Sequence, residues 1–557
     1  MSNLSHPRKL WKFVFLLLSL PHSVFASEKP LVFIHATVID ATRAAPQSNV
    51  TVIITGNRIT SLRPNADAPP PENAQIIDAT GKYLIPGLWD MHVHWEDKNY
   101  LPLFIANGVT GIRIMWGFPV HHQMRNQIEK GTLLGPRMLI ASTIVDGPNP
   151  VWPGSDSATN AADGRQAVLD AKLDGADFVK VYDKLPREAY FAIAEESKKQ
   201  GIPFAGHVPR AISPQEASQA GQKSIEHLTG LLAACSDPAK TAALFAEFKT
   251  NHTWQCPTLT VLRGYMTSGS AKRHDDLLKY MPAGLMRYWA NSDQLGIIAT
   301  ITRFLTGSHR FQKYLDLVAG LQRAGVEILA GTDTENLYCF PGFSLHDELS
   351  LLVDAGLTPM QALQAATINP ARFLNREKDL GTIEPGKLAD IVMLDANPLE
   401  NINNTRKIAA VILDGKLYPK TDLDNMLSQV ESHAKKSEEL ESKLRETMQT
   451  GGAEAAVQKY RQLRSARPDA YDWDEDQLNN FGDDLLESGN PRDAIPVLKL
   501  NAELYPQSSP ACDILGDAAL AAGDTNLAIQ TFAKSLKLYP QNHQTLEKLN
   551  QLEHLKK

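Results

Sequence analysis

Two histidines one residue apart, His92 and His94, sit in the apolar stretch LIPGLWDMHVHW at residues 84–95. In an extended chain, residues i and i+2 project from one face, so both imidazoles point the same way. Such a pair is either two hydrogen-bonded interior histidines or two metal ligands, and further ligands downstream decide between them. Candidates recur at the ends of later apolar strands: His207 in IPFAGHV, His227 in KSIEHL and Asp333 in VEILAGTD. Neutral imidazole and carboxylate suit zinc and similar divalent ions. Lys180, in DFVKVY, puts an ammonium group on an apolar strand. Burying that charge unpaired depresses its pKa and leaves a reactive amine. Such an amine can add carbon dioxide to form a carbamate, in effect a carboxylate able to bridge two cations. A lysine reaching the rim, or paired with Asp177 or Asp183, is the alternative.

These residues need a scaffold that brings strand ends together. Residues 85–377 alternate apolar strands such as GVTGIRIMWG, RMLIAST and DFVKVYD with helical stretches such as DGRQAVLDAKLDGA and REAYFAIAEESKKQG. Repeated β-α units imply a parallel sheet, and a count near eight with right-handed connections predicts a closed (β/α)8 barrel. A doubly wound open sheet is the alternative, but no Gly-x-Gly-x-x-Gly turn follows the first strand. Short alternating strands at 27–84 and 378–421 bracket the barrel and are expected to pair into one small β-sandwich. Residues 422–557 form a separate all-α piece. There Gly482, Gly489, Ala494 and Pro506 return as Gly516, Gly523, Ala528 and Pro540, each displaced by 34 residues, the tetratricopeptide period. Such repeats present a groove to a peptide or protein partner, or serve self-association or bracing of the barrel.

The constellation resembles the amidohydrolase superfamily of metal-dependent hydrolases over residues 30–421. The likeness rests on IPGLWDMHVH, the lone strand lysine, single histidines on two successive strands and AGTD. It extends to HDELSLLVDAGLTPMQALQAATINPARFL and GTIEPGKLADIVMLDANP. The lysine pattern is similar to the binuclear branch that includes imidazolonepropionase-like proteins and Xaa-Pro or Xaa-Arg dipeptidases. The resemblance implies that His92, His94 and Asp333 hold one divalent ion, that His207 and His227 hold another, and that carbon dioxide bound as a carbamate on Lys180 bridges them. Zinc is the metal expected. Two ions sharing a water lower its pKa and supply hydroxide as nucleophile, with Asp333 as general base. The dipeptidase branch carries a Tyr after the histidine at position 207 and a histidine in the loop after the third strand. Here Val208 follows His207, and ASTIVDGPNPVWPG has no histidine.

The expected activity is therefore hydrolysis of an amide or cyclic amide C–N bond in a small molecule or peptide. A dipeptidase or carboxypeptidase, a lactonase or esterase on the same site, and a catalytically silent repeat-based binding protein are the alternatives. Arg113, Tyr182, Arg263, Tyr265 and His346 lie near strand ends and are candidate substrate contacts. A net charge of −7 over 557 residues gives no electrostatic reason for a nucleic-acid partner. Arg8, Lys9 and Lys12 precede the apolar run Phe13–Leu20, and Val24 and Ala26 fit a signal-peptidase site, so residues 1–26 are expected to be a secretory signal directing export. That run is short for a bilayer crossing, and no stable membrane span is expected. Cys235, Cys256, Cys339 and Cys512 form no Cys-x-x-Cys pair.

Overall fold

The computed structural model describes residues 29–42, 45–65, 69–95, 97–152, 154–266, 275–293, 297–540 and 542–555; the expected signal at 1–26 lies outside them. Seven strands pair in chain order, all parallel: Leu88–Val93, Val109–Ile114, Arg137–Asp146, Phe178–Val181, Phe204–Gly206, Ser224–Glu226 and Trp254–Cys256. An eighth segment closes the ring. Leu329 N donates to Gln255 O (2.8 Å) on one side and Met91 N donates to Ala330 O (2.9 Å) on the other, and parallel bridges join Ile328 to Gln255 and Thr334 to Val93. The first and second strands are buried at every position, as strands covered on both faces must be. The architecture is the (β/α)8 barrel, not an open sheet.

The strands flanking the barrel on both sides pair into one eight-stranded sheet, as expected of two strand-rich segments that bracket the barrel. Strand Ile391–Leu394 runs antiparallel to Tyr83–Pro86, with Ile391 opposite Pro86, and so stitches together the segments that enter and leave the barrel. The sheet's other end folds back on the return segment: Ile59 N donates to Lys387 O and Ala389 N to Asn57 O, both 2.9 Å. Phe33, Val52, Ile391 and Ile412 share its core.

The last strand of that sheet, Lys416–Pro419, passes directly into a 47-residue helix, Lys420–Ala466. Leu423, Met426, Val430 and Ala434, spaced at helical period, belong to the barrel's own hydrophobic core. A break at Gly452 (φ 77°) redirects the chain. Five helices follow, Glu475–Glu487, Pro491–Leu504, Ser509–Ala521, Thr525–Leu538 and His543–Leu555. The repeated glycines have a packing cause: a Cβ at Gly482 would stand 2.4 Å from Leu498, and one at Gly516 2.3 Å from Phe532. Those two partners are themselves one repeat apart. Among the described residues, no helix is long and apolar enough to cross a membrane.

Because Phe532 is fully buried, Gly516→Ala should overpack the helix pair and lower the helical domain's stability by about 1–3 kcal/mol. Denaturant unfolding followed by circular dichroism measures it. A change under about 0.5 kcal/mol, the range of ordinary surface substitutions, would show that the ring simply yields.

Candidate active site

The strand ends bring the expected ligands to one rim. His92 Nε2 lies 3.3 Å from His94 Nε2, and Asp333 Oδ1 lies 3.2 Å from the first and 3.0 Å from the second. Two ligands on a tetrahedral or octahedral ion with bonds of about 2.1 Å stand roughly 3.0–3.4 Å apart. The three atoms therefore already hold the spacing of a coordination edge. His227 closes the group, with Nδ1 3.9 Å from Asp333 Oδ2 and its ring centroid 4.5 Å from that of His92. The His207 ring centroid lies 4.9 Å from that of His227. His94 Nδ1 and Asp333 Oδ1 are buried without a hydrogen bond of good geometry, and buried polar atoms left so are rare without an ion or ligand.

Local backbone geometry marks the same rim. His227, Thr258 and Asp333 hold left-handed φ values of 57°, 49° and 64°, conformations that cost non-glycine residues energy and cluster at functional sites. Gly206, just before His207, has φ 139°, and a Cβ there would stand 2.2 Å from Val181 O. Only glycine lets the fourth and fifth strands close up at this point.

Three of the four imidazoles, all but His94, have one nitrogen engaged from behind. His92 Nδ1 faces Glu226 Oε2 (2.8 Å), His207 Nδ1 faces Asp183 Oδ1 (2.7 Å) and His227 Nδ1 faces Thr258 Oγ1 (2.6 Å). Thr258 Oγ1 donates onward to Pro257 O (2.8 Å), so it accepts from His227. A carboxylate or an accepting hydroxyl at Nδ1 fixes the tautomer and leaves the Nε2 lone pair for a metal. Burial lowers His94 to about 4 and also lowers His207, so these rings are neutral near pH 7, as ligation requires. Burial works against the Asp333 carboxylate, but the facing imidazoles of His227, His92 and His94 outweigh it and hold the carboxyl well below its usual range.

Glu226 is the main residue that the sequence reading did not single out. Wholly buried, it accepts from Arg113 Nη2 (2.8 Å) as well as facing His92. Burial opposes its ionisation, yet Arg113 and His92 hold its carboxyl well below the ordinary range. The signal was present in SIEHL, where an acid interrupts an apolar strand as Lys180 does in DFVKVY. Asp90 is a second such residue: Thr332 N (3.0 Å) and Thr332 Oγ1 (2.7 Å) donate to it, tying the first strand to the closing segment. His92, Glu226 and Cys256 also cluster. In that group Glu226 is committed to Arg113 and to His92 Nδ1, and burial pushes the Cys256 thiol well above its usual value.

The rim opens into a cavity of about 1420 Å³ lined by His94, Lys180, His207, His227 and Asp333. Lys180 is 1% exposed, and burial lowers its amine to about 8 against the pull of Glu226 and Asp333. Its Nζ makes no hydrogen bond or ion pair among the described residues; its contact is the Tyr182 ring, 5.8 Å to the centroid. Neither expected partner takes it, since Asp177 binds Arg125 (2.7 Å) and Asp183 binds His207. A second cavity, about 1540 Å³, lies at the strands' opposite ends around Met138, Phe178 and Lys223 and includes none of the ligands.

The candidate substrate contacts divide. Tyr182 lines the cavity, packed at a tilt of 31° against His207 (centroids 3.9 Å apart) and receiving a hydrogen bond from Trp152 Nε1 (2.8 Å). Tyr265 also lines it and donates to Asn336 Oδ1 (3.1 Å). Three others are corrected by their surroundings. Arg113 is fully buried, its guanidinium donating to Met91 O, Ser224 Oγ and Glu226. His346 is buried between Thr405 Oγ1 (2.9 Å) and Asn107 O (3.1 Å). Arg263 stands 3.9 Å from Asp347, outside the cavity lining.

A closed β/α ring with imidazoles and a carboxylate gathered at the C-terminal ends of its strands is a metal-binding (β/α)8 barrel of the kind that carries hydrolytic sites. Residues 83–418 match the amidohydrolase family, and the chain belongs to that family. Among curated relatives it is 24% identical over 406 residues to an adenine deaminase of Clostridium botulinum (strain Loch Maree / Type A3), an alignment taking in 70% of this chain and 57% of the deaminase. It is 23% identical over 462 residues to an ochratoxinase of Aspergillus niger, covering 70% of this chain and 87% of the relative. The chain thus spans little more than half the length of the deaminase. Among solved structures, bottromycin amidohydrolase superposes with a TM-score of 0.60 at 24% identity, over 72% of this chain and 90% of that one. A Xaa-Pro dipeptidase with bound methionine superposes at 0.56 and 22%, over 70% and 100%. These likenesses carry the fold.

Removing the groups behind the imidazoles should separate two roles. Asp183→Asn is expected to weaken metal binding by about 10–100-fold with little change in melting temperature. Glu226→Gln should weaken it similarly and also cost about 3–5 kcal/mol, because Arg113 loses its counter-charge in the core. Metal titration and thermal unfolding of each variant measure both. Unchanged affinity in Asp183→Asn would show that His207 needs no such support.

Proposed function

We propose that this chain hydrolyses an amide or cyclic amide C–N bond of a small molecule or peptide at a centre of two divalent ions, zinc or a similar metal. The observation that carries the reading is the meeting of His92, His94 and Asp333 at 3.0–3.3 Å, with His227, His207 and Lys180 on the same cavity. His92, His94 and Asp333 would hold one ion, and His207 and His227 the other. Bound there, the ions supply an activated water and polarise the scissile carbonyl. The names of an adenine deaminase, a bottromycin amidohydrolase and a Xaa-Pro dipeptidase among the similar proteins support C–N chemistry.

The chain's own groups do the rest. Asp333 takes the proton from the attacking water as its oxygen bonds to the carbonyl carbon, then delivers that proton to the departing nitrogen as the C–N bond breaks. Lys180, buried and without a hydrogen bond at Nζ, adds its free amine to carbon dioxide. One N–C bond would form as a C=O π bond of carbon dioxide opens, and one amine proton would leave, giving a carbamate that would add a carboxylate-like ligand to those of His92, His94, His207, His227 and Asp333. Tyr182, held by Trp152, keeps the His207 ring in place and walls the cavity beside it. Export follows from the basic and apolar run at 8–20 and the small residues Val24 and Ala26. The helical domain is read as tetratricopeptide-like repeats on its 34-residue period.

Purified protein should carry about two zinc-like ions per chain, and turnover of N-acyl amino acids, dipeptides, cyclic amides or lactones should vanish on chelation and return on reloading. A protein that takes up no metal sinks the proposal. Asp333→Asn should lose about 10²–10⁴-fold in kcat while keeping much of its metal; near-normal rates would remove the role given to Asp333. Loading with ¹³C-bicarbonate should produce a carbamate carbon resonance that Lys180→Ala lacks. Identical spectra from the two proteins would leave Lys180 a plain amine.

A further inference from the structure

The cavity over the ligands is walled by two domains. One side is the barrel rim; the other is built from the helices Glu475–Glu487, Ser509–Ala521 and His543–Leu555. That second side is held in place. Lys98 pairs with Asp476 (2.8 Å), Asn480 Nδ2 donates to Asp97 Oδ2 (3.2 Å), and Arg287 pairs with Asp484 (3.2 Å). The repeat face that would elsewhere receive a partner is here turned toward the mouth of the barrel.

Its chemistry is one-sided. Eight carboxylates of the helical domain line the cavity against a single basic side chain, Lys548. Some are neutralised from behind, Glu441 and Asp484 by Arg287 and Arg445, and Asp476 by Lys98. Asp517 pairs with Lys548 and Glu475 lies 3.8 Å from Lys98, while among the described residues Asp513 has no ion pair of its own. Asp513 accepts only from neutral donors, Asn542 Nδ2 and Thr545 Oγ1 at 2.8 Å, with Ser509 Oγ at 3.5 Å. Asp156, on the barrel side, accepts from Thr143. Lys548 is already engaged by Asp517 (2.6 Å). Burial raises Asp156 to about 6, with Glu547 of the last helix pushing the same way and Lys548 opposing, so barrel and helical domain meet electrostatically at this point.

A second observation is independent of charge. Gln477 is 8% exposed and lines the same cavity, and neither its Nε2 nor its Oε1 has a hydrogen-bond partner. Ser155 Oγ and Trp116 Nε1, also lining it, are buried and unpartnered too. Polar groups left this way in a closed wall await a ligand.

We propose that the helical domain is the specificity wall of the enzyme, and that Asp156 and Asp513, with Gln477 and Ser155, form a distal subsite for an organic cation carried by the substrate, an ammonium or guanidinium group remote from the scissile bond. This rests on the hydrolase reading above for the position of that bond. Carboxylates that outnumber the cations of a partly enclosed cavity, as here around Lys548, favour a cation and disfavour an anion.

The test uses N-acyl-lysine, N-acyl-norleucine and N-acyl-glutamate sharing one acyl group, with the full-length, metal-loaded protein. The lysine compound should have a kcat/KM about tenfold or more above norleucine, and glutamate should be poorest. The preference should shrink as ionic strength rises. Asp156→Asn with Asp513→Asn should bring the lysine-to-norleucine ratio close to one. Equal rates for lysine and norleucine in the natural protein, or a ratio unchanged in the double variant, overturn the subsite. Calorimetric binding of the same compounds to metal-loaded Asp333→Asn protein reads the preference without turnover. Absence of any cleavage then counts against the hydrolase reading, while equal affinities count against the subsite alone.

Discussion

A carboxylate with no exposed surface must find a counter-charge, and Glu226 finds two partners at once inside the closed barrel. Arg113 from the second strand supplies the positive charge, and His92 from the first strand spends its Nδ1 on the same oxygen. Three strands are thereby joined across the interior by groups that cannot be exchanged singly without stranding a charge. The arrangement also sets the direction of His92: with Nδ1 engaged behind, Nε2 is the atom left for the rim. Asp183 and Thr258 repeat that logic for His207 and His227. The ligand geometry is thus a property of what stands behind the rings.

Closure of the barrel is what makes such backing available. The eighth segment hydrogen-bonds to the first and seventh strands, and Asp90 grips its Thr332 one residue before Asp333. Asp333 then enters the site from a left-handed turn whose position is held at both ends. Strain of that kind persists only where the surroundings over-determine it. Here the surroundings are a ring of parallel strands with no free edge.

The long helix carries the same rigidity outward. Its first turns are part of the barrel core through Leu423, Met426, Val430 and Ala434, so the domain that follows is not tethered by a linker. The repeated glycines let successive helices pack tightly against Leu498 and Phe532. The result is a stiff acidic surface above the ligands, so the depth and charge of the cavity depend on both parts of the chain.

Much of this was legible in the residues themselves. Period-two spacing put His92 and His94 on one face, and the strand-end positions of His207, His227 and Asp333, with the misplaced charge of Lys180, named the residues that line one rim. The 34-residue period marked the helical pairs, because a glycine is needed wherever a bulky side chain of the next helix presses in. Arg113 and His346 misled because a polar residue near a strand end looks available until its partners are known, and those partners, Glu226 and Thr405, lie more than fifty residues away. Residue type and local period determine which groups can do chemistry and which face they share. Only the closed ring and the helices folded over it decided which of those groups are consumed as support and that the repeat face looks into the cavity. Each of those outcomes turns on pairing between distant segments, which exists only once the chain has closed on itself.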